Sequence, residues 1–160
     1  MAVSYPGSIK TFSTKAPGQA IASSHINELQ DEVVAIETQL GTNAGEWVTY
    51  TPTFTAATGT FANTTGSIGY YCTIGKVMHI SIYFKIVDKG TASGVWNFSL
   101  PSGFTCSVSS AGYGREILLM GKMQQLIVMS SDNTVTVRNY DNSSSIATGH
   151  AFICNITLGV

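Results

Sequence analysis

Val77-Met78-His79-Ile80-Ser81-Ile82-Tyr83-Phe84-Lys85 alternates with a period of two. In an extended chain Met78, Ile80, Ile82 and Phe84 fall on one side and Val77, His79, Ser81, Tyr83 and Lys85 on the other, the pattern of a strand with one buried face. Thr134-Val135-Thr136-Val137 and Phe152-Ile153-Cys154-Asn155-Ile156 alternate in the same way, and Ser130-Ser131-Asp132-Asn133 carries the chemistry of a tight turn between two strands. Working outward, short β-branched and aromatic runs separated by Gly, Asn, Ser and Pro clusters predict strands at 48–54, 68–73, 76–86, 95–100, 104–108, 116–120, 122–129, 134–139 and 151–158. Residues 46–160 therefore read as a mainly β head, an antiparallel β-sandwich of jelly-roll type.

A different period precedes it. Ile26, Leu29, Val33, Ile36 and Leu40 are spaced 3, 4, 3 and 4, a heptad stripe that predicts one short coiled-coil helix over residues 24–41. Ser23 or Ser24 is the expected N-cap, Glu28, Asp31 and Glu32 lie toward the positive end, and Gly41 is the expected stop. An isolated helix of this length is marginal in water, so the stripe predicts association into a neck or packing on the chain's own β-domain. β-branched residues at both stripe positions favour three strands, hence a homotrimer. Residues 1–23 hold two turn signals, Tyr5-Pro6-Gly7 and Ala16-Pro17-Gly18, and too few apolar residues to bury a core. They read as an extended attachment arm with Tyr5, Ile9 and Phe12 as anchors.

Composition narrows the function. Charged residues make up 11% of the 160 and the net charge is −1, so no basic face for nucleic acid is expected. No run approaches the roughly 20 apolar residues of a membrane span, and the amino-terminal stretch lacks the layout of a signal peptide, so synthesis in a cytoplasm without membrane insertion is expected. Cys72, Cys106 and Cys154 have no metal-type spacing and read as small buried side chains, one pairing among them remaining open. His25, His79 and His150 stand apart from carboxylates in sequence, and no nucleotide or nucleophile motif occurs, so no catalytic residue, cofactor or metal is expected. The acids of the β-zone, Glu46, Asp88, Glu116, Asp132 and Asp141, form no sequence pair of the glycosidase kind. Recognition remains, and Tyr113, Arg115, Tyr140, Asp141 and Asn142, assigned to loop tips at 112–115 and 140–145, are the candidate ligand-binding residues.

Tyr5-Pro6-Gly7-Ser8-Ile9, Phe12, Lys15, the run from His25 to Glu37 and Leu40-Gly41-Thr42-Asn43 resemble the amino-terminal segment of tailed-bacteriophage fibre and minor tail or head-fibre proteins. Trp47-Val48-Thr49-Tyr50-Thr51-Pro52, Gly69-Tyr70-Tyr71 and Ile74-Gly75-Lys76-Val77 are similar to the opening of the compact β-rich heads that cap such fibres. The resemblance implies a virion-anchored arm, a trimeric neck and a β-head. The expectation is a non-enzymatic homotrimeric appendage of the virion, exposed on the particle. Its arm would dock on capsid, tail or baseplate proteins and its head would bind host-surface glycan or protein. The alternative is a capsid-decoration or joining protein with no host ligand.

Overall fold

The computed structural model describes residues 16–40 and 45–160. The chain divides into two compact units, Met1–Ala44 and Gly45–Val160. The anchors Tyr5, Ile9 and Phe12, the first turn signal and the Gly41 stop lie outside the described residues.

In the first unit, Ala16-Pro17-Gly18 forms the expected turn, with Gln19 N–H donating to Ala16 C=O at 3.1 Å and Gly18 at a φ of 85°. Helix α1 spans Ser23–Leu40. Its start corrects the expected cap: the Ala22 N–H donates to His25 Nδ1 at 3.0 Å, so Ser23 and Ser24 lie inside the first turn. The first turn itself contains no acid, and Glu28 lies in the second. Ile26, Leu29, Val33 and Ile36 are exposed at 41–54%, an apolar stripe open to solvent in the single chain. The side chain of Leu40 lies outside the described set.

The second unit is all strand and loop: β1 (Val48–Tyr50), β2 (Phe54–Thr58), β3 (Asn63–Ile74), β4 (Val77–Asp88), β5 (Ser93–Ser99), β6 (Ser110–Glu116), β7 (Met123–Val128), β8 (Thr134–Asn139) and β9 (Ala151–Gly159). All ladders are antiparallel and join into one continuous sheet of order β1-β3-β4-β9-β6-β7-β8-β5-β2. This order is a single curled antiparallel sheet, mainly β as expected. The curl is forced by the chain, because β1 and β2 occupy opposite edges yet are joined by residues 51–53. Such a link spans at most about 14 Å. The two edges must therefore approach, and the inward faces of distant strands meet: Phe54 of β2 stacks on Phe84 of β4 at 3.9 Å, and Trp96 of β5 meets Phe152 of β9 at 5.2 Å.

The core is the face the alternation predicted. Met78, Ile80, Ile82, Phe84, Phe152, Cys154 and Ile156 are all buried, each contributing roughly 1.5–3 kcal/mol for a fully buried large side chain. Cys106 and Cys154 are buried, Cys72 is half-buried, and all three are free thiols. Burial pushes the Cys154 thiol up, well away from nucleophile chemistry.

Four expectations along the strands need correction. Residues 48–54 are not one strand but β1 and the start of β2, joined by residues 51–53. Residues 104–108 form no strand beyond a single bridge from Val108 to Gly159, because Cys106 gives its N–H to Asp132 C=O and its C=O to Ser131 N–H. Residues 117–120 form a loop wrapped around the buried carboxylate of Glu116, the last residue of β6. Residues 110–116, expected to contain a glycine-flanked turn, are strand β6. Its glycines mark close approach rather than a bend: a Cβ on Gly112 would come 2.5 Å from the Asn155 C=O, and one on Gly114 would come 2.5 Å from Cys154 Sγ.

Candidate functional site

The ladders carry several candidate residues onto the outward face of the sheet. Tyr113 pairs with Asn155 of β9 on one side and Gln125 of β7 on the other. Asn155 continues to Ser81 and Tyr70, and Gln125 continues to Arg138. Tyr70, Ser81, Asn155, Tyr113, Gln125 and Arg138 therefore form one row across six strands, since cross-strand partners point to the same side.

Asn142 joins this row from a loop. It takes a positive φ of 58° and its N–H closes a turn onto Asn139 C=O at 2.9 Å. Its Oδ1 accepts from Gln125 Nε2 at 3.2 Å and from Arg138 at 3.5 Å. Tyr113 and Asn142, 29 positions apart in sequence, thus come to one face through the residue between them. Arg115 lies in the adjacent row, paired with Ile153 and Met123. Tyr113 and Arg115 stand mid-strand, which corrects their assignment to a loop tip.

Tyr140 and Asp141 are placed otherwise. Tyr140 is exposed beyond β8 and anchored by its N–H to Met123 C=O at 3.2 Å. Asp141 works as a turn residue: its carboxylate accepts from the Ser143 hydroxyl and, at 3.0 Å, from the Ser143 N–H, and it pairs with Lys122 at 3.2 Å. The two Ser143 bonds, with Lys122 adding to them, hold its pKa down at about 2.

Beside Tyr113 the face dips into a depression of about 110 Å³ lined also by His79, Asn155 and Thr157. His79 Nδ1 is 2.8 Å from the Thr157 hydroxyl, and Trp47 meets the His79 ring edge-on at 5.5 Å. The result is a shelf of aromatic, amide and hydroxyl groups with Arg115 and Arg138 at its side. It offers stacking surface and hydrogen-bond donors and acceptors. Gln125, Arg138 and Asn155 were not singled out from sequence; they alternate with buried neighbours in β7, β8 and β9, which marks their face but not their partners.

A second carboxylate held low, Glu116, is only 1% exposed. It accepts from the N–H groups of Leu118, Leu119, Met120, Gly121 and Ala151 at 2.6–3.3 Å. Burial alone would raise its pKa; the backbone bonds from Leu118, Met120, Gly121 and Leu119 outweigh burial and hold it at about 2. Glu116 is thus an organiser of the loop, which presents Ile117, Leu118, Leu119 and Met120 to solvent. Among the described residues no group of three or more His, Cys, Asp or Glu is arranged to hold a metal ion.

No protein-family model matches the chain, and no curated protein matches it. Among solved structures, the fold is similar to that of the Dettilon tailspike protein (gp208), with a TM-score of 0.53 and 22% identity over 71% of this chain. The match covers 24% of that tailspike, so this chain spans about a quarter of its length.

Proposed function

We propose that the chain is a non-enzymatic, homotrimeric virion appendage, anchored by residues 1–23, with the β-unit facing outward to bind a host-surface ligand. The observation that carries this reading is the likeness of the fold to a phage tailspike, which agrees with the class expected from the arm and helix segments. The exposed stripe of Ile26, Leu29, Val33 and Ile36 supports association, because burying it between copies removes four large apolar side chains from water. Glu116 and Asp141 are both held low by hydrogen bonds that build loops, so neither suits the raised-pKa acid of a glycosidase.

The test is the solution mass by light scattering after gel filtration. The full chain is expected near three times 17.0 kDa, and Val33→Asp combined with Ile36→Asp is expected to lower that mass. A monomeric parent, or a double variant with the parent's mass, would overturn the trimeric neck.

A further inference from the structure

The curled sheet leaves an open seam. β1 pairs with β3 only at residues 69–71, so the first half of β3 has no partner on that side, and β2 has a free edge as the last strand of the sheet. Between them lies a groove of about 560 Å³ lined by residues of both strands, among them Phe54, Thr55, Thr64 and Ser67. That volume falls in the range of roughly 300–1,000 Å³ found for small-molecule sites.

The lining has a definite chemistry. Phe54 and Phe61 form its core-ward side, both packed on the buried ring of Phe84 at 3.9 and 5.5 Å. Hydroxyls come from Thr55, Thr60, Thr64 and Ser67, and none of the lining side chains is charged. One end is fixed by close packing: Gly59 has a φ of 73°, a Cβ there would run into the Thr91 C=O, and the Thr60 N–H donates to Thr91 Oγ1 at 3.0 Å.

We propose that this groove binds a neutral saccharide. Phenyl surface suits the C–H faces of a sugar ring, while side-chain hydroxyls and the free backbone groups of the two edges suit its hydroxyls. An acidic or basic ligand would find no counter-charge. A peptide strand, the other natural occupant of an open edge, is disfavoured by both lips. The register of β2 shifts between Ala56 and Thr58, and that of β3 shifts between Thr65 and Ile68 around Gly66 at a φ of 67°. Neither edge offers a regular ladder, so a compact ligand fits better than an extended one. The proposal names a ligand class for the β-unit and rests on its outward role only for the biological setting, since every lining residue belongs to one chain.

The test uses the full chain, isotope-labelled for amide NMR and titrated separately with N-acetylglucosamine, galactose and rhamnose. The expected result is saturable shifts at the Thr55, Gly59, Thr60 and Ser67 amides with at least one sugar. Affinity should fall at least about tenfold in both Thr55→Trp and Ser67→Trp, which fill the groove. Thr55 is exposed, so its variant decides the matter if Ser67→Trp does not fold. The proposal is overturned if no sugar shifts the groove amides, if the shifts map instead to the Tyr113 row, or if folded tryptophan variants bind as well as the parent. Binding of galacturonate as tight as that of galactose would overturn the neutral class. The solution mass, measured on the same samples, reports separately on the trimeric neck.

Discussion

Replacing Glu116 by Gln tests the carboxylate that shapes the loop after β6. Glu116 is buried and gathers five backbone N–H donors onto two oxygens. Glutamine keeps one oxygen and turns an NH2 group toward donors, leaving at least one N–H unsatisfied at roughly 1–3 kcal/mol. Linkage offers a second measure. A pKa lowered from 4.5 to about 2 corresponds to roughly 2–3 kcal/mol. Because the folded pKa is the lower one, this stability is fully present above about 4.5 and is lost as pH falls toward about 2. Urea unfolding at fixed protomer concentration should place Glu116→Gln about 2 kcal/mol below the parent at pH 7, with the gap closing between pH 5 and pH 2. A difference under about 0.5 kcal/mol at neutral pH, or one independent of pH across that window, would refute the assignment of Glu116 as the loop's organiser.

Two further substitutions probe the sheet. Gly114→Ala places a Cβ 2.5 Å from Cys154 Sγ and 2.9 Å from the Ile153 C=O, so a loss of about 1–3 kcal/mol is expected; an unchanged thermal midpoint would show that β6 and β9 do not approach this closely. Tyr50→Phe removes a buried hydroxyl that has no hydrogen-bond partner among the described residues, while keeping the ring over Gly69 and edge-on to Tyr71. Stability should stay level or rise by about 1 kcal/mol, and a loss of that size in chemical unfolding would mean the hydroxyl is satisfied.

The parts of the fold that could be read in advance are those whose cause is local. The alternation of β4 exposes its core face directly, because Met78, Ile80, Ile82 and Phe84 are apolar whatever strand lies beside them. The stripe of α1 is legible for the same reason. Where the reading failed, a distant residue decides the local structure. Gly112 and Gly114 look like turn residues until Ile156 and Cys154 are brought over them, when they become the positions at which two strands pack closely. Ile117-Leu118-Leu119-Met120 looks like a strand until the carboxylate before it takes up the N–H groups a ladder would need.

The candidate face follows the same logic one level higher. Period-two alternation tells which side of its strand Tyr113, Gln125, Arg138 or Asn155 occupies, but their meeting depends on register, and register is a property of pairs of strands. A slip of one residue between β6 and β7 would put Leu126 or Gln124 opposite Tyr113 in place of Gln125, breaking the link from Tyr113 through Gln125 to Asn142. What holds the register is the inward face: Leu126 of β7 and Cys154 and Ile156 of β9 are buried, and a slip of one residue would carry Gln125 and Asn155 into the core in their place. The arrangement of the candidate face is therefore specified by the core behind it. Tyr113 and Asn142 could be named from their chemistry alone, whereas Gln125, which joins them, carries no signal in sequence beyond being the polar residue between two buried positions.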